Sequence, residues 1–216
     1  MKPKLTILVI AVSLFTNVMA QENNVWFDID FSSKEWLNHF KNAGYNFQVT
    51  SPGEAINFRP GASYVLNNVN GFNFNANAYR ESSPITSVCE REFEYGIRLR
   101  QNADTYIELP SVKSAGKITL YVQNPNETSP GQENPESKWN HLKLQIKTGK
   151  TWEDLHEWTI ETLPELKLKG EYDKELTFDI NINRPVKIRL FRNEARFLKV
   201  FGIRLEKCDD TASSGL

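Results

Sequence analysis

Hydrophobic and polar positions alternate along most of this chain. In YGIRLRQ, Ile97 and Leu99 alternate with Arg98 and Arg100. The same period of two recurs in GKITLYVQN, HLKLQIK, LTFDININ, VKIRLFRN and FGIRLEK. Such alternation is typical of antiparallel strands with one buried and one solvated face.

Turn signals separate these stretches, among them SPGE, RPGAS, QNAD, KSAG, KTGKT and NINRP. Strands spaced in this way predict an all-β fold, an antiparallel β-sandwich or jelly roll of about ten strands. Two segments rich in Asn, Ser or Pro, 67–87 and 124–140, are predicted to be long loops.

One short helix is predicted near the N-terminus, in SSKEWLNHFKNAG. Ser32 or Ser33 suits its N-cap, and Gly44 suits its end. Its apolar face comprises Trp36, Leu37 and Phe40. We expect this helix to close an open end of the sandwich.

The triplet Gly149-Lys150-Thr151 matches the end of a phosphate-binding loop. Such a loop needs a glycine five residues before the second one, and Leu144 occupies that position. The flanking stretches alternate as strands do, so we predict a hairpin turn in which Gly149 has a positive φ.

The first twenty residues have the pattern of a signal peptide: two lysines, an apolar run over 5–15, and small residues before Gln21. We predict cleavage after Ala20, a single domain over 21–208 and a disordered tail over 209–216. The protein is then secreted or periplasmic, without a membrane span in the mature chain.

Charge and cysteine content add two expectations. The formal net charge is −1, so no overall field attracts nucleic acid. The two cysteines, Cys89 and Cys208, form either a disulfide, which export permits, or two free thiols.

Catalytic signals are weak, and we predict that the chain is not an enzyme. No nucleophile motif or zinc-ligand spacing occurs around the three single histidines. Glu108, Asp154 and Glu157 are the best candidates for a glycosidase pair, but charges beside strands are usually only solvated. No organic cofactor is indicated.

Hard oxygen ligands for calcium lie near both ends of the predicted domain. Asp28 and Asp30 share one side of the first strand, where Glu206 of the last strand can join them. The alternative is that these three are ordinary outward-facing acids at a sheet edge.

Aromatic side chains beside Arg and Asn suit a carbohydrate site, because sugar C–H groups stack on rings while polar groups bond the hydroxyls. Trp152 and Trp158 are expected to pack in the core or across a hairpin. The predicted ligand-binding residues are Tyr79, Arg80, Trp139, Arg98, Arg100 and Asn75.

Five stretches together resemble secreted bacterial jelly-roll domains of the galactose-binding-like, carbohydrate-binding-module type: VWFDIDFSS-x-EW, ADTYIELPSVKSAGKITLYV, GKTWEDL, PVKIRLFR and FLKVFGIRLEK. The resemblance covers most of residues 25–207. It implies a β-sandwich that binds glycan, and it favours a structural calcium between the first and last strands.

Three functions follow as hypotheses. The first is an exported, non-catalytic module that binds a polysaccharide or other glycan. The second is a structural or protein-interaction module that binds another cell-surface protein and has no sugar site. The third is a small carboxylate-based glycan hydrolase or lyase.

Overall fold

The computed structural model describes residues 24–43, 55–56, 65–80, 86–88, 91–99, 104–124, 142–159, 172–192 and 198–208. These residues form a seven-stranded sheet, a six-stranded sheet, a two-stranded hairpin and one helix. Strands are numbered along the chain. No helix in this part of the chain is long and apolar enough to cross a membrane.

The seven-stranded sheet has the order β13–β10–β15–β8–β5–β2. β15 pairs with β8 through its first residues and with β1 through its last ones, so β1 and β8 follow each other along one edge of β15. Its strands are β1 (Val25–Asp30), β2 (Ala55–Ile56), β5 (Asn77–Arg80), β8 (Tyr95–Leu99), β10 (Ala115–Asn124), β13 (Tyr172–Ile182) and β15 (Leu198–Glu206).

The six-stranded sheet has the order β12–β11–β14–β9–β4–β3, and every pair in it is antiparallel. Its strands are β3 (Val65–Val69), β4 (Phe72–Asn75), β9 (Thr105–Glu108), β11 (Leu142–Thr148), β12 (Thr151–Trp158) and β14 (Ile188–Arg192).

The apolar residues of the alternating strands form one core cluster between the two sheets. Ile97 and Leu120 of the seven-stranded sheet belong to the same cluster as Leu144 and Leu190 of the six-stranded sheet, and all four side chains are fully buried. The predicted antiparallel β-sandwich is therefore confirmed. Its strands outnumber the expected ten because several have only two to four residues.

The predicted helix is α1 (Lys34–Asn42). Ser33 is its N-cap: its side chain accepts a hydrogen bond from the backbone N–H of Trp36 at 3.2 Å. Trp36 and Phe40 are buried in the core cluster, where Phe40 lies 5.9 Å from Phe74 between ring centroids. Leu37 is half-buried, and Gly44 lies outside the described residues.

The expectation of a long loop over 67–87 was wrong. β3, β4, β5 and β6 occupy much of this segment, with Phe72 and Phe74 fully buried. Asn70 and Gly71 both have positive φ, as the tight turn of a hairpin requires. The asparagines that suggested a loop therefore lie in a tight turn and in the strands beside it. The second predicted loop lies, after its first residue, outside the described residues.

The hairpin turn at Gly149 is confirmed. β11 ends at Thr148 and β12 begins at Thr151, so the loop has two residues, of which only Gly149 has a positive φ, at 62°. This is the pattern of a type II′ turn.

The hairpin of β6 (Thr86–Val88) and β7 (Arg91–Phe93) lies against the outer face of the seven-stranded sheet, where β6 contacts β10 and β13. A second, small cluster of Phe93, Tyr121 and Phe201 is buried there. Part of that outer face is therefore covered.

Candidate functional site

Five polar side chains form one row across the outer face of the six-stranded sheet. They stand opposite one another in register on β4, β9, β14, β11 and β12. In that order they are Asn73, Glu108, Arg189, Gln145 and Asp154. Along β4, β9, β14 and β11 the residues on either side of the row are apolar and face the core, and this alternation places the row on the solvent side of the sheet.

Hydrogen bonds fix the end of this row that lies on β14, β11 and β12. Arg189 donates from Nε to Oε1 of Gln145 at 2.6 Å, and Gln145 donates from Nε2 to Oδ1 of Asp154 at 2.5 Å. Lys143 donates from Nζ to the other oxygen of Asp154 at 2.6 Å. Gln145 is only 7% exposed, so its amide is held in one orientation. The guanidinium of Arg189 is therefore anchored by a buried side chain.

The other end of the row is also paired. Lys187 forms an ion pair with Oε1 of Glu108, and the Asn73 amide donates to the same oxygen at 3.3 Å. In the neighbouring position on β4, Asn75 donates from its side chain to the backbone carbonyl of Asp104 at 2.6 Å. Asn75 thus fixes the start of β9.

Three half-buried aromatic rings surround the guanidinium of Arg189. Its Cζ lies 4.4 Å from the ring centroid of Trp152, 4.7 Å from that of Phe191 and 5.5 Å from that of Tyr106. Phe191 and Tyr106 stand opposite each other in register on one side of the polar row. We call these four residues together with Gln145 the Arg189 platform.

The same contacts set the charges of Arg189 and of its neighbour in the polar row, Asp154. The hydrogen bonds from Gln145 and Lys143 lower the pKa of Asp154, so this carboxyl group is ionised at neutral pH. Burial lowers the pKa of Arg189, against the opposing influence of Glu108, but an arginine remains protonated. The platform therefore presents a fixed cation among aromatic rings.

Such an arrangement suits a sugar chain. Half-exposed rings offer faces for C–H groups, and a fixed guanidinium, amides and carboxylates offer donors and acceptors for hydroxyl groups. A sheet holds these groups more rigidly than a loop does.

Of the six ligand-binding residues predicted from the sequence, only Asn75 and Arg98 have described side chains, and these two lie on different sheets. Asn75 is on the six-stranded sheet beside the platform, whereas half-buried Arg98 is on β8 of the other sheet. The backbones of Tyr79 and Arg80 belong to β5, which pairs with β8; their side chains are not described. Trp139 and Arg100 lie outside the described residues.

The acids predicted to bind calcium are spread along the β1–β15 pair, from Asp30 opposite Gly202 to Glu206 opposite Val25, and are bonded to other groups. Asp28 stands within 3.3 Å of Arg204 and 3.6 Å of Arg91, and Glu206 accepts a hydrogen bond from Arg204 at 3.1 Å. Asp30 accepts from a backbone N–H two residues later at 2.7 Å. Within the described residues no group of three acids, histidines or cysteines has metal-binding geometry. Calcium remains a prediction.

Cys208 is partly buried and has no disulfide partner among the described residues; Cys89, the predicted signal peptide (1–20) and the predicted tail (209–216) lie outside them. A disulfide, export and the domain limits therefore remain predictions.

A cavity of about 580 Å³ opens where β1 meets the start of α1 and the β3–β4 turn. Trp26 and Trp36 line it together with Asp28 and Asp30. We call it the end pocket. Trp36 is almost fully buried, and the indole N–H of Trp26 donates to the Ser114 carbonyl at 2.6 Å. The rings of Trp26 and Trp36 thus make most of their contacts within the protein.

Of the three acids considered for catalysis, two belong to the polar row and one does not. Glu108 and Asp154 belong to the polar row, with Arg189 and Gln145 between them, and Glu157 stands opposite Lys143. Each of the two row acids has a lysine partner, an arrangement that suits structural carboxylates.

None of the five residues of the Arg189 platform was predicted from the sequence to bind ligand. The alternation in VKIRLFR already puts Arg189 and Phe191 on one face. Its position beside Tyr106 and Gln145 depends on which strands are neighbours, and alternation does not give the strand order. As expected, Trp158 is buried in the core and Trp152 packs across a hairpin, where it stands opposite Lys147 on the outer face and lies beside Arg189.

No family model matches the sequence, and neither does any curated protein. Among solved structures, the chain is similar to the K1 cleaved adhesin domain of Lys-gingipain from Porphyromonas gingivalis, at 13% identity and a TM-score of 0.40, covering 74% of this chain and 99% of that one. The CBM35 module from Paenibacillus barcinonensis has 11% identity and a TM-score of 0.33, covering 67% and 98%. The xylan-binding module CBM15 has 12% identity and a TM-score of 0.35, covering 67% and 95%. The β-sandwich rests on the strand pairing of this chain, and likeness at this level assigns no ligand.

Proposed function

We propose that this protein is an exported, non-catalytic module that binds carbohydrate on the Arg189 platform. The observation that carries the proposal is the set of half-exposed rings around an arginine that a buried amide anchors. Export follows from the signal-peptide pattern of residues 1–20.

The platform is favoured over the predicted loop residues because its side chains are close together and rigidly held. Trp152 lies on the outer face beside the two-residue hairpin turn, and its ring is half-exposed. The rings that line the end pocket already pack on the core. The surface of a sheet suits an extended polysaccharide better than such a pocket.

The test is binding of the mature protein to a panel of soluble polysaccharides by affinity electrophoresis and calorimetry. Trp152→Ala should weaken binding about tenfold or more, because aromatic anchors dominate such interfaces. Trp26→Ala is the matched control, since it removes a half-buried tryptophan from the end pocket. Both variants should keep a cooperative thermal transition.

If Trp26→Ala loses polysaccharide binding and Trp152→Ala keeps it, the binding site is the end pocket and not the platform. Absence of binding to every glycan would contradict the proposal and favour the protein-interaction module.

A further inference from the structure

Two cations on the outer face of the six-stranded sheet lack a carboxylate partner within the described residues. Lys143 and Lys187 on this face are paired with Asp154 and Glu108. Arg189 and Lys147, in contrast, have no carboxylate within ion-pair distance in the described part of the chain. The positive charge of this face is therefore concentrated at two positions.

Both unpaired cations lie beside the same ring. Arg189 Cζ is 4.4 Å from the centroid of Trp152, and Lys147 Nζ is 5.7 Å from it. Lys147 also stands directly opposite Trp152 in register. A sugar ring that stacks on the accessible part of Trp152 therefore meets positive charge at its edge.

The orientation of Arg189 suits a two-oxygen anion. Its Nε is bonded to Gln145, which is itself bonded to Asp154, so the terminal N–H groups are held in a fixed plane. A planar guanidinium recognises a carboxylate through two parallel hydrogen bonds, which an ammonium group cannot form. Partial burial strengthens this attraction relative to water.

We propose that the Arg189 platform selects acidic glycans, and that Arg189 and Lys147 bind the carboxylate of a uronic acid residue whose ring stacks on Trp152. This inference rests on the proposed carbohydrate function and adds the class of sugar. A sulfate ester also offers oxygens to an arginine, so the experiment must separate the two anions.

The test compares polygalacturonate with highly methyl-esterified pectin, in which the same backbone has lost most of its charge. Dextran and dextran sulfate form the second pair. We expect binding to polygalacturonate to be about 10- to 100-fold tighter than to the esterified polymer, the usual value of a charge-assisted contact. Added NaCl should weaken it.

Single-residue variants test which side chains supply the positive charge that binds polygalacturonate. Arg189→Lys keeps the positive charge but not the fork, and it should reduce affinity for polygalacturonate about tenfold. Lys147→Met should reduce it by a smaller factor. Lys117→Met, which removes a half-buried lysine from β10 of the other sheet, is the matched control and should have no effect. Thermal melts establish that each variant is folded.

The results separate the two proposals. Equal, Trp152-dependent binding to the esterified and free polymers overturns the acidic-sugar inference and leaves carbohydrate binding intact. Preference for dextran sulfate, or insensitivity to Arg189→Lys, overturns the carboxylate assignment. If the protein binds none of the four polymers and none of the neutral polysaccharides, both the carbohydrate function and the acidic-sugar inference are contradicted.

Discussion

His156 lies at the edge of the sandwich, with its ring stacked on Phe178 at a centroid distance of 4.3 Å and packed against Trp158 at 4.8 Å. This packing removes the ring from water, and burial lowers the pKa of His156 below its usual 6.5. Folding therefore favours the neutral form of this imidazole.

We predict a loss of stability below about pH 6.5 that depends on His156. In the unfolded chain the imidazole takes up a proton near that pH, whereas in the folded chain it does so only at lower pH. Stabilisation is thus complete above the unfolded pKa and falls as the pH drops towards the folded one. Urea midpoints at pH 7.5 and 5.5 measure this change.

His156→Phe provides the comparison, because a phenyl ring can keep the stacking on Phe178 without titrating. The variant should lose less stability between the two pH values than the natural protein does. Equal losses in the two proteins would mean that His156 does not contribute to the pH dependence.

At the level of strands, alternation predicted the core well. Ile97, Leu120, Leu144 and Ile203 are buried as the period of two requires. The alternation pattern did not reveal the strands of 67–80. These strands are short, they flank an Asn-Gly turn, and asparagines occupy their outward positions, so the segment resembles a loop in sequence. Strand order and register depend on contacts between distant segments, and for this reason the platform was not recognised.

The pairing of β15 with β1 depends on close backbone approach at Gly202. A Cβ atom there would lie 2.7 Å from the carbonyl oxygen of Ile29 and 3.1 Å from the ring of Tyr121. Gly202→Ala should therefore destabilise the protein by about 1–3 kcal/mol, because the neighbouring backbone cannot move without disturbing the strand pair. Chemical denaturation measures the effect.

Gly149 is the matched glycine for this experiment. A Cβ atom at this position meets nothing within 4 Å, and only the positive φ constrains it. Gly149→Asn should cost less than about 1 kcal/mol, since asparagine tolerates this conformation. If Gly202→Ala lowers the free energy of unfolding no more than Gly149→Asn does, the close approach of β1 to β15 at Gly202 is not important for stability.

Over the whole described structure, one core cluster joins both sheets and α1, while the platform lies on the outside. Core and site therefore depend on different side chains of the same strands. Leu190 of β14 is fully buried between Arg189 and Phe191, which are half exposed. A substitution in the core should change stability, and one on the platform should change binding.

Phe40 tests whether the helix and the two sheets unfold together. It is 1% exposed and packs on Phe31, Trp36 and Phe74. Phe40→Ala should cost about 3–5 kcal/mol while preserving a single transition, because α1 contributes to the common core. Leu37→Ala, on the same helix but half-buried, should cost clearly less. Coincident urea curves from circular dichroism and tryptophan fluorescence are expected for both variants; separate transitions would show that α1 unfolds independently of the sandwich.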